Sequence, residues 1–596
     1  MNKLKLIFLF LLIICLPYSI GEKTADSTKD SCVTPYDNMN ITQDTVFCQG
    51  TYNISDEIRV EGDEMTLDCS GAMLNADGYP DGITMVSKKN ITIKNCSLQG
   101  FHIGIYAENT TYLSIQGCNI SSSSSQGSVY LRDSTNITIR GSGIDTSYNT
   151  FGSGKGIYAY NSDDVLIEDN SIFNNLEGVD FYRSTGSIKY NRIFDNLVRG
   201  IDIGSYGASI IGNEIYQNGD YGDPYDFGIR CSSSCFVKDN EIHHNANGIT
   251  LSYYKGNSVR NNSVYMNFGK GVYLGNYGYN LTHNRMYGNG RNFGILERKA
   301  RQHIDASNTV DGKPVYYFYG ESGVNIPKDA GYIAVVSSSD IVIEGQNISN
   351  NHQGILLADS SNITLARNKI TGCHDGISAY ESSYGRIYEN SLRGNHNGLY
   401  IKYSDNIYAS YNNLSANENG AYIDHCSYDT GCNNSANYNN ILDNGCGIYG
   451  HDPNSVLDAE HNWWGTVSGS AISSMMCGEY GGLVDYDPWL YGPTGGNQIP
   501  KVSGIGCKKQ GSGWEDCEDI DISDTLEAIR ANCTDFDGTV TEVRFMLIDL
   551  VNNSVYLDGY GAMAGGYWVY NGDMVMDAAG YRIAVICTDD ESFNNS

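Results

Sequence analysis

Short alternations of apolar and polar residues, rather than long apolar faces, set the rhythm of this chain. After Gly156, Ile157 and Ala159 point one way and Tyr158 and Tyr160 the other, as a half-buried strand requires. The same Gly-apolar start recurs at Gly178, Gly200, Gly228, Gly248 and Gly271, then at Gly354, Gly376, Gly398, Gly420 and Gly447, most often 22 residues apart. A second anchor, Asn-x-apolar-x-x-Asn, begins at Asn170, Asn191, Asn213, Asn240, Asn262 and Asn284, and again at Asn390, Asn412 and Asn439. Each piece is too short for a helix. Strands of a few residues, separated by Asn and Gly turns at a fixed period, predict an all-β right-handed parallel β-helix whose inner residues stack in ladders. The Asn anchors fit turns, either in the left-handed conformation or bonded from coil to coil.

The pattern places a leader at 1–21, an N-terminal capping region at 22–57, the β-helix at 58–465 with an interruption at about 290–330, a cap and linker at 466–500, and an immunoglobulin-like β-sandwich at 501–596. Lys3 and Lys5 followed by an apolar run from Leu6 to Leu16 have signal-peptide length, too short for a membrane span. No transmembrane segment is expected after the leader is removed. The Trp463-Trp464 pair reads as a lid over the last apolar rung.

Several stretches carry a family resemblance: residues 66–71 (TLDCSG), the coils, residues 308–317 (NTVDGKPVYY) and residues 462–465 (NWWG). Together they resemble the NosD-like group of periplasmic copper-binding and carbohydrate-associated β-helix proteins, particularly its archaeal cell-surface members, over about residues 32–490. The resemblance implies the β-helix fold. It also implies either an accessory role in copper delivery or, in related solenoids, action on sugars. The loop 221–226 (YGDPYD) faintly resembles the catalytic loop of alginate epimerases, with Tyr225 where a His is expected.

A net charge of −31 over 596 residues argues against nucleic acid, whose affinity rests on Lys and Arg. It suits cations and a cell exterior, and the sequons at Asn40, Asn90, Asn136, Asn347 and Asn362 permit glycosylation. Beyond Cys15 in the leader, sixteen cysteines of the seventeen remain, an even number that fits disulfides outside the cell. Cys32 with Cys48, Cys231 with Cys235, Cys426 with Cys432 and Cys507 with Cys517 would close short loops, and Cys533 with Cys587 would link two strands of the last module. Buried free thiols are the alternative for Cys69, Cys96 and Cys118.

On a parallel solenoid, the residue two places after each Gly forms an outward column, here Tyr158, Asp180, Asp202, Arg230, Thr250 and Tyr273. Asp180 and Asp202 on neighbouring rungs make a candidate catalytic carboxylate pair, since like charges at that spacing raise one pKa. Arg230 would bind a substrate carboxylate, and Asp223 and Asp226 lie in a long coil beside them. Tyr158, Tyr182 and Tyr273, and later Tyr400, Tyr422 and Tyr449, are candidate sugar-stacking residues, although Tyr, present 46 times, also simply favours strands. His352, His374 and His396 each lie two residues before a repeat Gly and should form a column, with Glu418 next. Either this column is a Zn or Cu site or it is a ladder of turn histidines. Zn, Cu and Ca are the ions these residue types admit. The functional expectation is recognition of polysaccharide or cell-surface glycoprotein by a secreted protein. Its alternatives are a polysaccharide hydrolase, lyase or epimerase, a self-assembling surface-layer or adhesion protein, and a copper-binding accessory protein.

Overall fold

The computed structural model describes residues 32–596 apart from 123–125, 147–153, 205, 254–255, 425–432, 452–455, 480–482, 495–500, 510–512, 517–524, 535–539, 550–554, 565–566, 576–580 and 590–596. The expected leader, Cys426, Cys432 and Cys517 therefore lie outside the described residues.

The fold is an all-β right-handed parallel β-helix. Its first segment lays one strand per coil on each of three faces. The first face runs through twelve parallel strands from Asn40–Ile41 to Arg291–Ile295, and the second through twelve from Thr45–Val46 to His303–Ile304. The third runs from Thr51–Asn53 to Thr309–Val310. The rungs are in step. Val179, Ile201, Ile229, Ile249 and Val272 stack as register partners on the first face, all fully buried. Coiling starts at Asn40, which pairs with Arg59, rather than at residue 58, so the expected capping region itself supplies a coil. The Cys32–Cys48 disulfide fastens its start.

The recurring Gly is explained by close approach of neighbouring coils. A Cβ on Gly178 would lie 2.6 Å from the carbonyl oxygen of Gly200 and 2.9 Å from Ile193 Cγ2. The recurring Asn is a buried ladder. Asn170, Asn191, Asn213, Asn240, Asn262 and Asn284 each donate Nδ2 to Oδ1 of the next, ending on Asn308, at 2.9–3.0 Å. The left-handed turn residue is not the ladder Asn but the one before it: Asp169, Tyr190, Gly212, Asp239, Asn261 or His283.

The interruption is a β-hairpin. The strand Thr309–Val310 pairs antiparallel with Lys313–Tyr319, which then starts the first face of a second segment. The strands Tyr332–Val336 and Gln353–Ala358 are buried on both sides. Tyr332, Ala334, Val336, Leu356 and Ala358 belong to the core of the first segment, and Ile333, Val335, Ile355 and Leu357 to that of the second. The expected single solenoid is thus two cores sharing one wall. The second core ends on Trp464, 1% exposed, with Ile472 and half-buried Trp489 packed at the same end. The C-terminal part has an antiparallel sheet of five strands and another of three.

Cys231–Cys235 is a disulfide as expected, and Cys507 is disulfide-bonded. Cys69 pairs with Cys96 and Cys446 with Cys477, whereas Cys118 and Cys373 are buried free thiols. Cys533 and Cys587 lie on strands of different sheets, Thr525–Thr534 and Tyr581–Asp589.

Candidate active site

The outward column of the first face is in register as Tyr130, Tyr158, Asp180, Asp202, Arg230, Thr250 and Tyr273. Beside it runs a second column, Lys155, Glu177 and Arg199, one place before each Gly. Strict alternation counted back from Asp180 would send Glu177 inward, so periodicity hides this column. An acid–base alternation at the same offset from three consecutive glycines is the signal that could have found it.

Asp180 and Asp202, expected on an open face, are only 7% and 4% exposed, because long side chains from both columns close over them. Lys155 Nζ contacts Asp180 Oδ2 directly and lies 3.6 Å from Glu177 Oε2. Arg199 Nη1 donates to Glu177 Oε1 at 2.5 Å and to Asp202 Oδ2 at 3.0 Å. Arg230 grips Asp202 with both arms, Nε to Oδ1 at 2.8 Å and Nη2 to Oδ2 at 2.5 Å. Burial pushes the Asp180 carboxyl up to about 7, opposed by Lys155 and reinforced by Glu177 and Asp202. Burial works to lower the Lys155 ammonium, but Asp180 and Glu177 carry its net shift upward.

The geometry changes the roles expected for the remaining candidates. Both oxygens of Asp202 are occupied by guanidinium groups, so it orients Arg230 and Arg199 rather than standing ready as a nucleophile. Asp226 and Asp223 shape their loop instead of joining the cluster. Asp226 Oδ2 accepts from the Asp220 amide and Asp223 Oδ1 from the Tyr225 amide, each at 2.8 Å. Tyr158 stacks on Tyr130 at 5.1 Å and carries Lys155 Nζ 3.9 Å from its ring centroid. Tyr182 stacks on Tyr160 at 5.7 Å. Tyr400, Tyr422 and Tyr449 form a ladder at 5.4 and 4.6 Å. Within these stacks the rings cover one another's faces, leaving mainly edges and hydroxyls for a ligand.

The histidines do form a column. His352, His374 and His396 stack at 4.7 and 4.5 Å with planes within 30° of parallel. Near-parallel rings direct their nitrogens side by side rather than at one point, and two Nδ1 atoms are engaged, by Asp375 at 3.0 Å and Glu418 at 2.6 Å. Among the described residues, the acids whose ligand atoms converge, within 4.8 Å of one another, are Glu177, Asp180 and Asp202, a set that can hold a metal ion. Its oxygens suit a hard ion such as Ca²⁺ rather than copper. Lys155, Arg199 and Arg230 already neutralise the three acids, so an ion would have to displace them.

Residues 81–226 and 223–326 match the right-handed beta helix region family, and residues 307–462 match the periplasmic copper-binding protein NosD. No curated protein matches. Similar solved structures include DFA-IIIase from Arthrobacter chlorophenolicus A6 without its lid, at 15% identity over 43% of this chain and 75% of that one, with a TM-score of 0.30. The Dettilon tailspike protein is 10% identical over 91% and 87%, with a TM-score of 0.30. A mutant of the periplasmic alginate epimerase AlgG is 15% identical over 65% and 77%, with a TM-score of 0.26. At these identities the likeness is one of fold. The chain is a right-handed parallel β-helix protein, and its residues 307–462 are similar to NosD.

Proposed function

We propose that this is an exported protein that acts on polysaccharide by proton transfer at Asp180. One observation carries the reading: Asp180 is buried on the solenoid face against Lys155, with Glu177 and Asp202 converging on it, and that burial raises its carboxyl to about 7. A group titrating near neutrality can take up and return a proton at working pH. Lys155 and Arg230 keep 22% and 31% of their side chains exposed, so they can meet a substrate's negative charge as it develops. With Asp202 anchored, elimination from a uronate chain fits better than double displacement through a second free carboxylate. Asp180 takes the proton α to the uronate carboxylate, the bond from the β-carbon to the glycosidic oxygen breaks as the C=C bond forms, and the departing oxygen takes up a proton from Asp180 or water. Incubating the mature chain with a panel of polysaccharides, and following unsaturated and reducing-end products in parallel, tests this. Products formed by the parent and lost by about 100-fold or more in Asp180→Asn support it; products unchanged in the variant, or none from any substrate, sink it.

A second reading is recognition of polysaccharide or surface glycoprotein without chemistry, favoured by the Tyr400–Tyr422–Tyr449 ladder on the second segment, which would offer its ring edges and hydroxyls rather than its covered faces. It predicts glycan-array binding that Tyr422→Ala weakens while Asp180→Asn does not.

A further inference from the structure

The first face ends at the strand Arg291–Ile295, which meets the second segment at His352. The amide of His352 donates to the carbonyl of Phe293 at 2.8 Å, and that of Asn292 to Asn350 at 2.6 Å, so His352 continues the outward surface beyond Tyr273. Gly294 makes this fit possible: a Cβ there would lie 2.4 Å from the Cβ of His352. The imidazole instead meets the Tyr273 ring edge-on at 5.3 Å.

Beside these rings stand Lys270 and Arg291, register partners on adjacent strands. Both are half-buried, yet among the described residues neither side chain has an ion pair or a hydrogen bond; the Lys270 Nζ lies 4.0 Å from the centroid of the Tyr273 ring. Two acids are in the neighbourhood but are bound elsewhere. Gln353 Nε2 donates to Glu297 at 2.5 Å, and Asp375 holds His374 and Asn397 at 3.0 and 2.7 Å. His352 Nδ1 is buried and also without a partner. In a chain of net charge −31, two adjacent half-buried cations that make no ion pair, although Glu297 and Asp375 lie near enough to act on their charges, leave room for a further anion.

We propose that the cluster of Lys270, Arg291, His352 and Tyr273 is an oxyanion-binding site, which takes a sulfate or carboxylate group either free or carried on a sugar chain. Burial and mutual repulsion hold the Lys270 ammonium below its usual range, and burial does the same to the Arg291 guanidinium. A bound anion relieves both and gains two charge-assisted hydrogen bonds. Tyr273 supplies an apolar wall. The site lies four strands from Glu177 on the same face, roughly 19 Å away, and does not depend on the chemistry proposed for Asp180.

The test uses the full mature chain at low ionic strength. Calorimetric titration with inorganic sulfate should show about one site, weakened about tenfold or more by Lys270→Gln and by Arg291→Gln. A sulfated oligosaccharide binding more tightly than inorganic sulfate, with its desulfated counterpart inert, assigns the sugar as the source; equal affinity assigns the free anion. Thermal unfolding guards against misfolded variants. Without ligand, Lys270→Gln should melt at or above the parent, since an uncompensated charge has been removed, and sulfate should raise its melting temperature less than the parent's at matched ionic strength. No sulfate binding by the folded parent, equal binding in both variants, or a ligand-free Lys270→Gln that melts below the parent would overturn the proposal.

Discussion

At the scale of single residues, burial rather than identity sets the chemistry. Asp180 is the same residue type as exposed Asp223, yet only Asp180 is covered by a lysine and flanked by two further acids. Its raised pKa makes a signed prediction. The folded chain keeps the Asp180 proton over roughly pH 4 to 7, where the unfolded chain has released it. The stability this group contributes is therefore present below about pH 4 and lost as pH rises through about 7. Denaturation midpoints measured from pH 4 to 8 should fall for the parent relative to Asp180→Asn across that window and run parallel above it. A constant difference would mean the carboxyl is unperturbed. Lys155 keeps Glu177 as a partner in the variant, so its charge is not stranded.

At the scale of elements, the Asn ladder does what the apolar rungs cannot, which is to satisfy the buried turns between strands. Asn213 donates Nδ2 to Asn240 and to the Ile188 carbonyl, and accepts from both the amide and Nδ2 of Asn191. Asn213→Ala leaves several of these buried groups unpaired and should cost about 3 kcal/mol. Asn136, exposed and left-handed within the strand Thr135–Arg140, is the control: Asn136→Gly should cost under about 1 kcal/mol. Equal shifts in urea midpoint for the two would show that the ladder bonds add nothing. Gly178→Ala belongs with the costly changes, because the atoms in its way include backbone of the next coil.

At the scale of the whole molecule, the shared wall couples the two segments. Leu356 and Leu357 are neighbours in sequence, each at most 1% exposed, but they face different cores. Each Leu→Ala change should cost about 2–5 kcal/mol. Hydrogen exchange should separate them, with Leu356→Ala loosening amides of the last coils before residue 310 and Leu357→Ala those of the coils after residue 340. Identical exchange patterns would mean that the two cores open as one unit.

The sequence alone determined the coil, its period and its inward residues, because a side-chain alternation of two and a repeat of 22 leave one way to bury the apolar positions. It also determined which residues share a column: Asp180, Asp202 and Arg230 in one, His352, His374 and His396 in another. Tertiary structure decided how deeply the columns are covered, which turned an exposed carboxylate pair into a buried ion-paired network that includes Glu177, Lys155 and Arg199. It decided the direction of the histidine nitrogens and the split into two cores. Those outcomes depend on side-chain reach between rungs and on a hairpin that redirects the chain at residues 309–319, and a one-dimensional period carries neither.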